Sequence, residues 1–210
     1  MNKFIRKIFH RFGKDQKGSM AVEAVLAVPM LFWAATATFT FYDAFKAQNA
    51  TFRANYTISD MLSRQTQAID LNYLNGLHSV FRYMTHTRNE ATWIRISVVT
   101  CESSCADEPN RVLAWDWSHG ANGARDLDDT DLLYYESKIP LMATGNRLIL
   151  VETSRHYNPP FANFLVSFAE RDLASHVVTR PRFAPQLCWE TCATNTGGSD
   201  GDDGNGNSGS

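Results

Sequence analysis

The sequence predicts an α+β protein carried on a single N-terminal transmembrane helix. Three features lead there: a long uncharged run behind a basic start, helical spacing of apolar residues after it, and alternating β-branched segments from about residue 91 onward.

The membrane helix comes first. Residues 1–18 hold Lys3, Arg6, Lys7, Arg11, Lys14 and Lys17 against Asp15 alone, so the net charge of −2 over 210 residues hides a basic leader. Between Glu23 and Asp43 lie nineteen uncharged residues, Ala24 to Tyr42. As a helix they cover about 28 Å, close to the hydrocarbon thickness of a bilayer. Lys and Arg before the run, with Asp43 after it, predict a cytoplasmic N-terminus and export of everything beyond Tyr42. Pro29 is tolerated in a membrane helix and is expected to bend it. A cleaved secretory signal is the rival reading, since Ala35-Thr36-Ala37 fits a small-residue exit. Against it, the apolar run continues past that exit and the acidic Glu23 stands at its entrance.

Behind the span, Phe45, Phe52, Tyr56, Ile58, Leu62 and Ile69 recur largely at helical intervals, which predicts an amphipathic continuation over 43–69. A second helix fits 71–85, with Tyr73, Leu77, Val80, Phe81 and Met84 on one side and Asp70 or Asn72 as its cap. Strands are expected at 93–99, 111–118 and 147–157, forming a small antiparallel sheet. Clustered acids ahead of apolar residues, from Asp126 to Pro140, read as a helix start. A last helix is expected over 161–173, then an extended segment through Val177 to Phe183. From Thr194 the chain is Gly, Ser, Asn and Asp with no apolar residue, the composition of a disordered tail. The expected organisation is a leader (1–18), a transmembrane helix (19–42), a helical stalk (43–90), an exported α+β domain (91–193) and a tail (194–210).

Cys101/Cys105 and Cys188/Cys192 are two pairs of equal spacing, all beyond the span, where an oxidising compartment favours disulfides. Two local bridges are the simplest connectivity, and cross-pairing would instead tie the sheet to the C-terminus; spacing does not choose between them. The six histidines show no metal-ligand spacing, and no phosphate loop or nucleophile motif is present. Asp126, Asp128, Asp129 and Asp131 lack the Gly and closing Glu of a calcium loop and read as a helix cap or solvated turn. No cofactor, nucleic-acid partner or small-molecule substrate is expected, and the basic leader reads as a topology signal.

A carboxylate at the edge of a membrane helix is costly, so Glu23 is a functional candidate. If the chain were cut after Gly18, Ser19 would become the N-terminus, and its amine would lie one helical turn from Glu23. That amine pairs with Glu23 in the same chain or in a neighbouring subunit, and either pairing neutralises two charges in an apolar bundle.

A basic leader, Gly18, Ser19, Glu23 at the fifth mature position and an apolar helix together resemble the type IV prepilin signature. The block GSMAVEAVLAVP looks like the start of TadE/TadG-like pseudopilins of the tight-adherence (Flp) pilus system. One departure is Ala24, where members of that group often carry an aromatic residue. Downstream, residues 176–189 are similar to an Arg-Pro-Arg segment of such proteins, and residues 148–161 to their penultimate strand. The resemblance implies cleavage after Gly18 by a prepilin peptidase, and a non-enzymatic minor pilin or pseudopilin in the inner membrane. Its partners would be other pilin or pseudopilin subunits, the assembly machinery and membrane lipid. Arg180 and Arg182 are then candidate contacts to a carboxylate-bearing partner, while alternation alone places both on one solvated side. The alternative function is an uncleaved single-pass anchor displaying a periplasmic binding module.

Overall fold

The computed structural model describes residues 19–87, 92–161 and 170–192. The leader and the C-terminal tail lie outside these. The first element is one unbroken helix, α1 (Ser19–Ser63), of 45 residues. At 1.5 Å per residue it is about 67 Å long. From Ala21 to Ala35 every residue is exposed, and a buried stripe begins at Thr36. The stripe runs through Thr40, Ala44, Ala47, Thr51, Ala54, Asn55, Ile58 and Leu62, at the spacing of one helix face. Small side chains let this part of α1 lie close on the sheet.

The expected apolar face is therefore split. Ile58 and Leu62 are in the core, but Phe45 and Tyr56 are 64% and 63% exposed, and Phe52 also faces out. The helix also stops earlier than the expected residue 69. Arg64 and Gln65 donate backbone bonds to Met61 and Leu62, tightening the last turn, and Ser63 Oγ donates to the Asp60 carbonyl. Ile69 is taken instead by a parallel bridge to Trp189.

α2 (Leu71–Thr85) has the expected limits. Asp70 caps it by accepting from Tyr73 N at 2.8 Å, and His86 closes it in the left-handed conformation at φ 53°. Four strands follow: β1 (Thr92–Ser103), β2 (Val112–Ala121), β3 (Arg147–Tyr157) and β4 (Arg171–Thr179). They form one antiparallel sheet in the order β2-β1-β3-β4. The first three match the sequence expectation. The fourth overturns part of it, because residues 171–173 are strand and not the end of a helix. Arg171 pairs with Tyr157, and Leu173 and Ser175 turn inward, the two-residue alternation of an edge strand. Residues 162–169 of that expected helix lie outside the described residues.

The helices cover one face of the sheet. α1 packs on β3, β4 and α2, while α2 packs on β1 and β2. Ile58, Leu62, Leu74, Phe81, Ile94, Ile96, Val98, Ile149 and Val151 form the shared core. On the other face, the segment between β2 and β3 packs Leu127, Tyr135, Ile139 and Met142 against Val99, Leu148 and Leu150. That segment starts with a capping box in which Asp128 and Asp131 exchange bonds, as expected of its clustered acids. It continues into the one-turn helix α3 (Leu132–Tyr135). An extra residue in β2, Asp116, separates Trp115 and Trp117 to opposite faces, opposite Val99 and Val98.

Under this second layer lies a buried charged network. Arg95 and Glu152 are cross-strand partners, and Arg95 donates to Glu152 Oε2 from Nε (2.8 Å) and Nη2 (2.6 Å). The Tyr135 hydroxyl donates to Glu152 Oε1 at 2.7 Å and accepts from Arg95 Nη2 at 2.8 Å. Burial, then the bond to Glu152, push the Tyr135 hydroxyl well above the ordinary phenol range. Replacing Glu152 with Ala leaves Arg95 buried and unpaired, so stability should fall by about 3–5 kcal/mol, read from the urea midpoint of the full chain in detergent.

His78 is buried on α2 with Nε2 2.9 Å from Thr92 Oγ1. Burial pulls its pKa below the ordinary imidazole value. In the window between that lowered value and about 6.5, the unfolded chain binds more protons, so His78 costs stability as pH falls through it. His156 acts in the opposite sense: bonds to Asp172 and Glu170 raise its pKa. Its contribution is present at low pH and lost as pH rises through the raised value. A His78→Gln variant should therefore lose less stability than wild type on going from pH 7.5 to 5, measured by paired denaturant titrations.

Candidate membrane and assembly segment

Among the described residues α1 is the one helix long and apolar enough to cross a membrane. Its apolar window has mean hydropathy 1.7, and only 11% of that window is buried. The second figure is the telling one, because a core helix of comparable hydropathy is covered by its own protein. Here Val25, Leu26, Met30, Leu31, Phe32 and Trp33 are all more than half exposed. The threonines along the segment carry their polar groups inward. Thr36, Thr38 and Thr40 each donate to the carbonyl four residues back, at 2.7, 2.9 and 2.9 Å. A hydroxyl satisfied in this way can face an apolar medium without leaving a donor unpaired.

Ser19 opens α1, and Glu23 stands one turn later on the same helix, exposed. Among the described residues Glu23 makes no hydrogen bond or ion pair, so its carboxylate is open to a group outside them. Gly18 lies outside the described residues.

The folded part joins α1 through two side-by-side contacts. The Tyr157 hydroxyl, at the end of β3, donates to Asp43 Oδ2 at 2.8 Å. Burial, then this bond, push the Tyr157 pKa up to about 12. Four residues on, Phe161 meets Phe39 edge-to-face with ring centroids 5.9 Å apart. Chain and helix therefore run alongside each other, from 157 to 161 and from 43 back to 39. Ala44, Ala47, Tyr157 and Leu173 form a small apolar cluster at the same junction. Further up the helix, Asn55 Nδ2 donates to Ser175 Oγ at 3.0 Å.

Both cysteine pairs close locally, Cys101–Cys105 and Cys188–Cys192. The first packs in the second layer. The second holds a C-terminal hook against the turn between α1 and α2. Ile69 N donates to the Cys188 carbonyl at 2.9 Å, and Glu190 N to the Ile69 carbonyl at 2.8 Å. Trp117 Nε1 donates to the Leu187 carbonyl at 3.0 Å, and Trp189 lies beside Trp117 and His119.

Arg180 and Arg182 diverge, although alternation puts them on one side. β4 has ended at Thr179, and the chain then bends. Arg182 reaches α1, with N donating to the Ser63 carbonyl at 2.7 Å and Nη1 3.8 Å from Asp60 Oδ1. Arg180 reaches the other layer, donating to the Leu141 carbonyl at 3.5 Å. Both guanidinium groups stay exposed, at long distances from their neighbours. The Arg182 backbone, not its charge, makes the short contact.

Among the described residues no group of three or more His, Cys, Asp or Glu could hold a metal ion. A groove of about 200 Å³ between α1 and β4, lined by Gln48, Thr51, Phe52 and Arg171 among others, is smaller than ordinary small-molecule sites. Compared with known proteins, the chain matches no family model, no curated protein and no solved structure.

Sequence reasoning missed the Asp43–Tyr157 and Phe39–Phe161 pair. Its one available signal was an equal spacing of four between residues 114 or more positions apart, which no local pattern exposes.

Each disulfide closes a loop of about five residues, for which chain entropy alone gives about 2 kcal/mol. The double variant Cys188→Ser/Cys192→Ser should lose about that much stability. It should also exchange the Ile69 and Glu190 amides faster, as followed by hydrogen–deuterium exchange. Non-reducing peptide mapping of wild type should yield no peptide linking 101–105 to 188–192.

Proposed function

We propose that this chain is a TadE/TadG-like minor pilin or pseudopilin of the tight-adherence (Flp) class, with α1 as its single membrane span. The N-terminus is cytoplasmic, the α+β part is exported, and a prepilin peptidase cleaves after Gly18. The observation that carries the reading is the stretch Ala21–Ala35, a helix on which Val25, Leu26, Met30, Leu31, Phe32 and Trp33 are each more than half exposed. An apolar surface of that extent needs lipid or neighbouring helices around it.

Three further points support the same reading. Glu23 is exposed one turn from Ser19, placed for a mature N-terminal amine of this or an adjacent subunit. Phe45, Phe52 and Tyr56 form an outward aromatic ridge on the same helix beyond the span, suited to packing between subunits. Both disulfides lie in the part assigned to the oxidising side. Signal-peptide cleavage after Ala37 fits less well, since it would cut between Thr36 and Thr40 within the packing stripe of one continuous helix. The protein acts by assembly rather than catalysis, and its partners are the peptidase, other pilin-class subunits and membrane lipid.

Mass spectrometry of the mature N-terminus tests this directly. Ser19 is the expected first residue; Met1 would mean an uncleaved anchor, and a start near residue 38 a secreted protein. Glu23→Ala should leave membrane insertion intact and reduce incorporation into pili or pilus-assembly complexes, scored by co-purification. Incorporation at the wild-type level would remove the pairing role of Glu23.

A further inference from the structure

The length of the span leaves a mismatch that the fold itself answers. The stretch exposed on all sides, Ala21–Ala35, covers about 22 Å as a helix, well short of the roughly 30 Å of hydrocarbon it would have to cross. Glu23 already stands near the start of that stretch, and lengthening the immersed part toward the N-terminus carries it deeper into hydrocarbon, where an unpaired carboxylate is costly. Lengthening it the other way, to Tyr42, meets no charge. Phe39 and Tyr42, both more than half exposed, then face lipid. On the opposite side of that segment, however, Thr36 and Thr40 are buried against the protein. Part of the folded domain therefore has to enter the membrane with the helix.

The part that does so is the turn leaving β3. The Tyr157–Asp43 hydrogen bond sets the level at which the first charge after the span stands. From there the chain descends beside α1 to Phe161, which lies against Phe39, about 6 Å deeper along the helix axis than Asp43. Phe161 is 41% exposed although it is large and apolar, and it is preceded by Pro159 and Pro160. By sequence, no charge occurs from Asn158 to Ala169. Asp43 and the Tyr157 hydroxyl satisfy each other at the boundary, and what lies deeper at this contact is aromatic.

We propose that residues 158–161, at the exit of β3, are a second membrane contact, with Phe161 seated in the acyl-chain region of the leaflet that receives the C-terminal end of α1. The occupant of this apolar surface is lipid of the same bilayer, because Phe161 is continuous with the span through Phe39. Two contacts, one helical and one from the sheet, stop the exported domain from swivelling about α1 and hold the sheet at a fixed tilt to the membrane. The inference rests on the reading of α1 as a membrane span, and its test separates the two.

All four cysteines of the chain are in disulfides, so an introduced thiol can be labelled alone. The full chain in phospholipid vesicles is labelled with an environment-sensitive fluorophore at Leu31→Cys, Phe161→Cys, Pro160→Cys or Asn110→Cys. Leu31 reports the span itself, and Asn110 lies between β1 and β2 at the end of the sheet away from Tyr157. Pro160→Cys reads the same turn with Phe161 intact. The expected result is a blue-shifted emission at 31, 160 and 161, quenched by spin-labelled lipid and showing a loss of iodide quenching relative to 110. Lipid quenching at 31 with iodide-accessible probes at both 160 and 161 would overturn the second contact and leave the span standing. No lipid quenching at 31 would remove the span and the second contact together.

Discussion

A single α-helix of 45 residues sets the layout, because its side chains meet two kinds of surroundings along its length and its backbone is continuous between them. From Ala21 to Ala35 its residues are exposed; from Thr36 onward one face is occupied by β3, β4 and α2. A rigid helix passes any shift in one half directly to the other. The depth of the proposed span and the height of the sheet above the membrane are thus one quantity. Asp43–Tyr157, Phe39–Phe161 and Asn55–Ser175 fix it at three points along the helix.

The stripe that makes this packing is small and polar where a soluble amphipathic helix would carry Leu and Ile. Thr36, Thr40, Ala44, Ala47, Thr51 and Ala54 bring the α1 backbone near the strands, and the threonine hydroxyls among them turn back to helix carbonyls. Ile58 and Leu62 apart, the large apolar residues on α1 are thereby left for the outside, first in the proposed span and then in the ridge Phe45, Phe52 and Tyr56. If the chain assembles as proposed, the outward side is the one available to neighbours.

The sheet has to be stiff for such a helix to be held, and its two central strands are covered on both faces. The helix side is apolar. The other side places Arg95, Glu152 and Tyr135 in one hydrogen-bonded group beneath the segment that joins β2 to β3. An ion pair of this kind adds little net stability over apolar packing, but its directional bonds allow one arrangement only. The Cys188–Cys192 hook plays a comparable part at the α1–α2 turn, where a one-residue bridge to Ile69 would otherwise be weak.

Local chemistry explains what was readable from the chain alone. The uncharged run, the Asp70 cap of α2, the limits of β3 and the capping acids near Asp128 depend on residues within a few positions of one another, and the sequence determined them. The long helix with a small antiparallel sheet followed from the same periodicities. Tertiary contacts decided the rest. Phe45 and Tyr56 fit a helical apolar face by spacing, yet it is the small-residue face that lies on the sheet, where Ala44, Ala47 and Ala54 are buried. Residues 171–173 became strand because β3 offered them a free edge, and helix α1 ended at Ser63 while Ile69 paired with Trp189, 120 residues away in sequence. The local disulfide pairing and the divergence of Arg180 from Arg182 were likewise settled by where β4 and the hook lie. Such choices depend on which surfaces meet, and that information is absent from any window of sequence short enough to show a period.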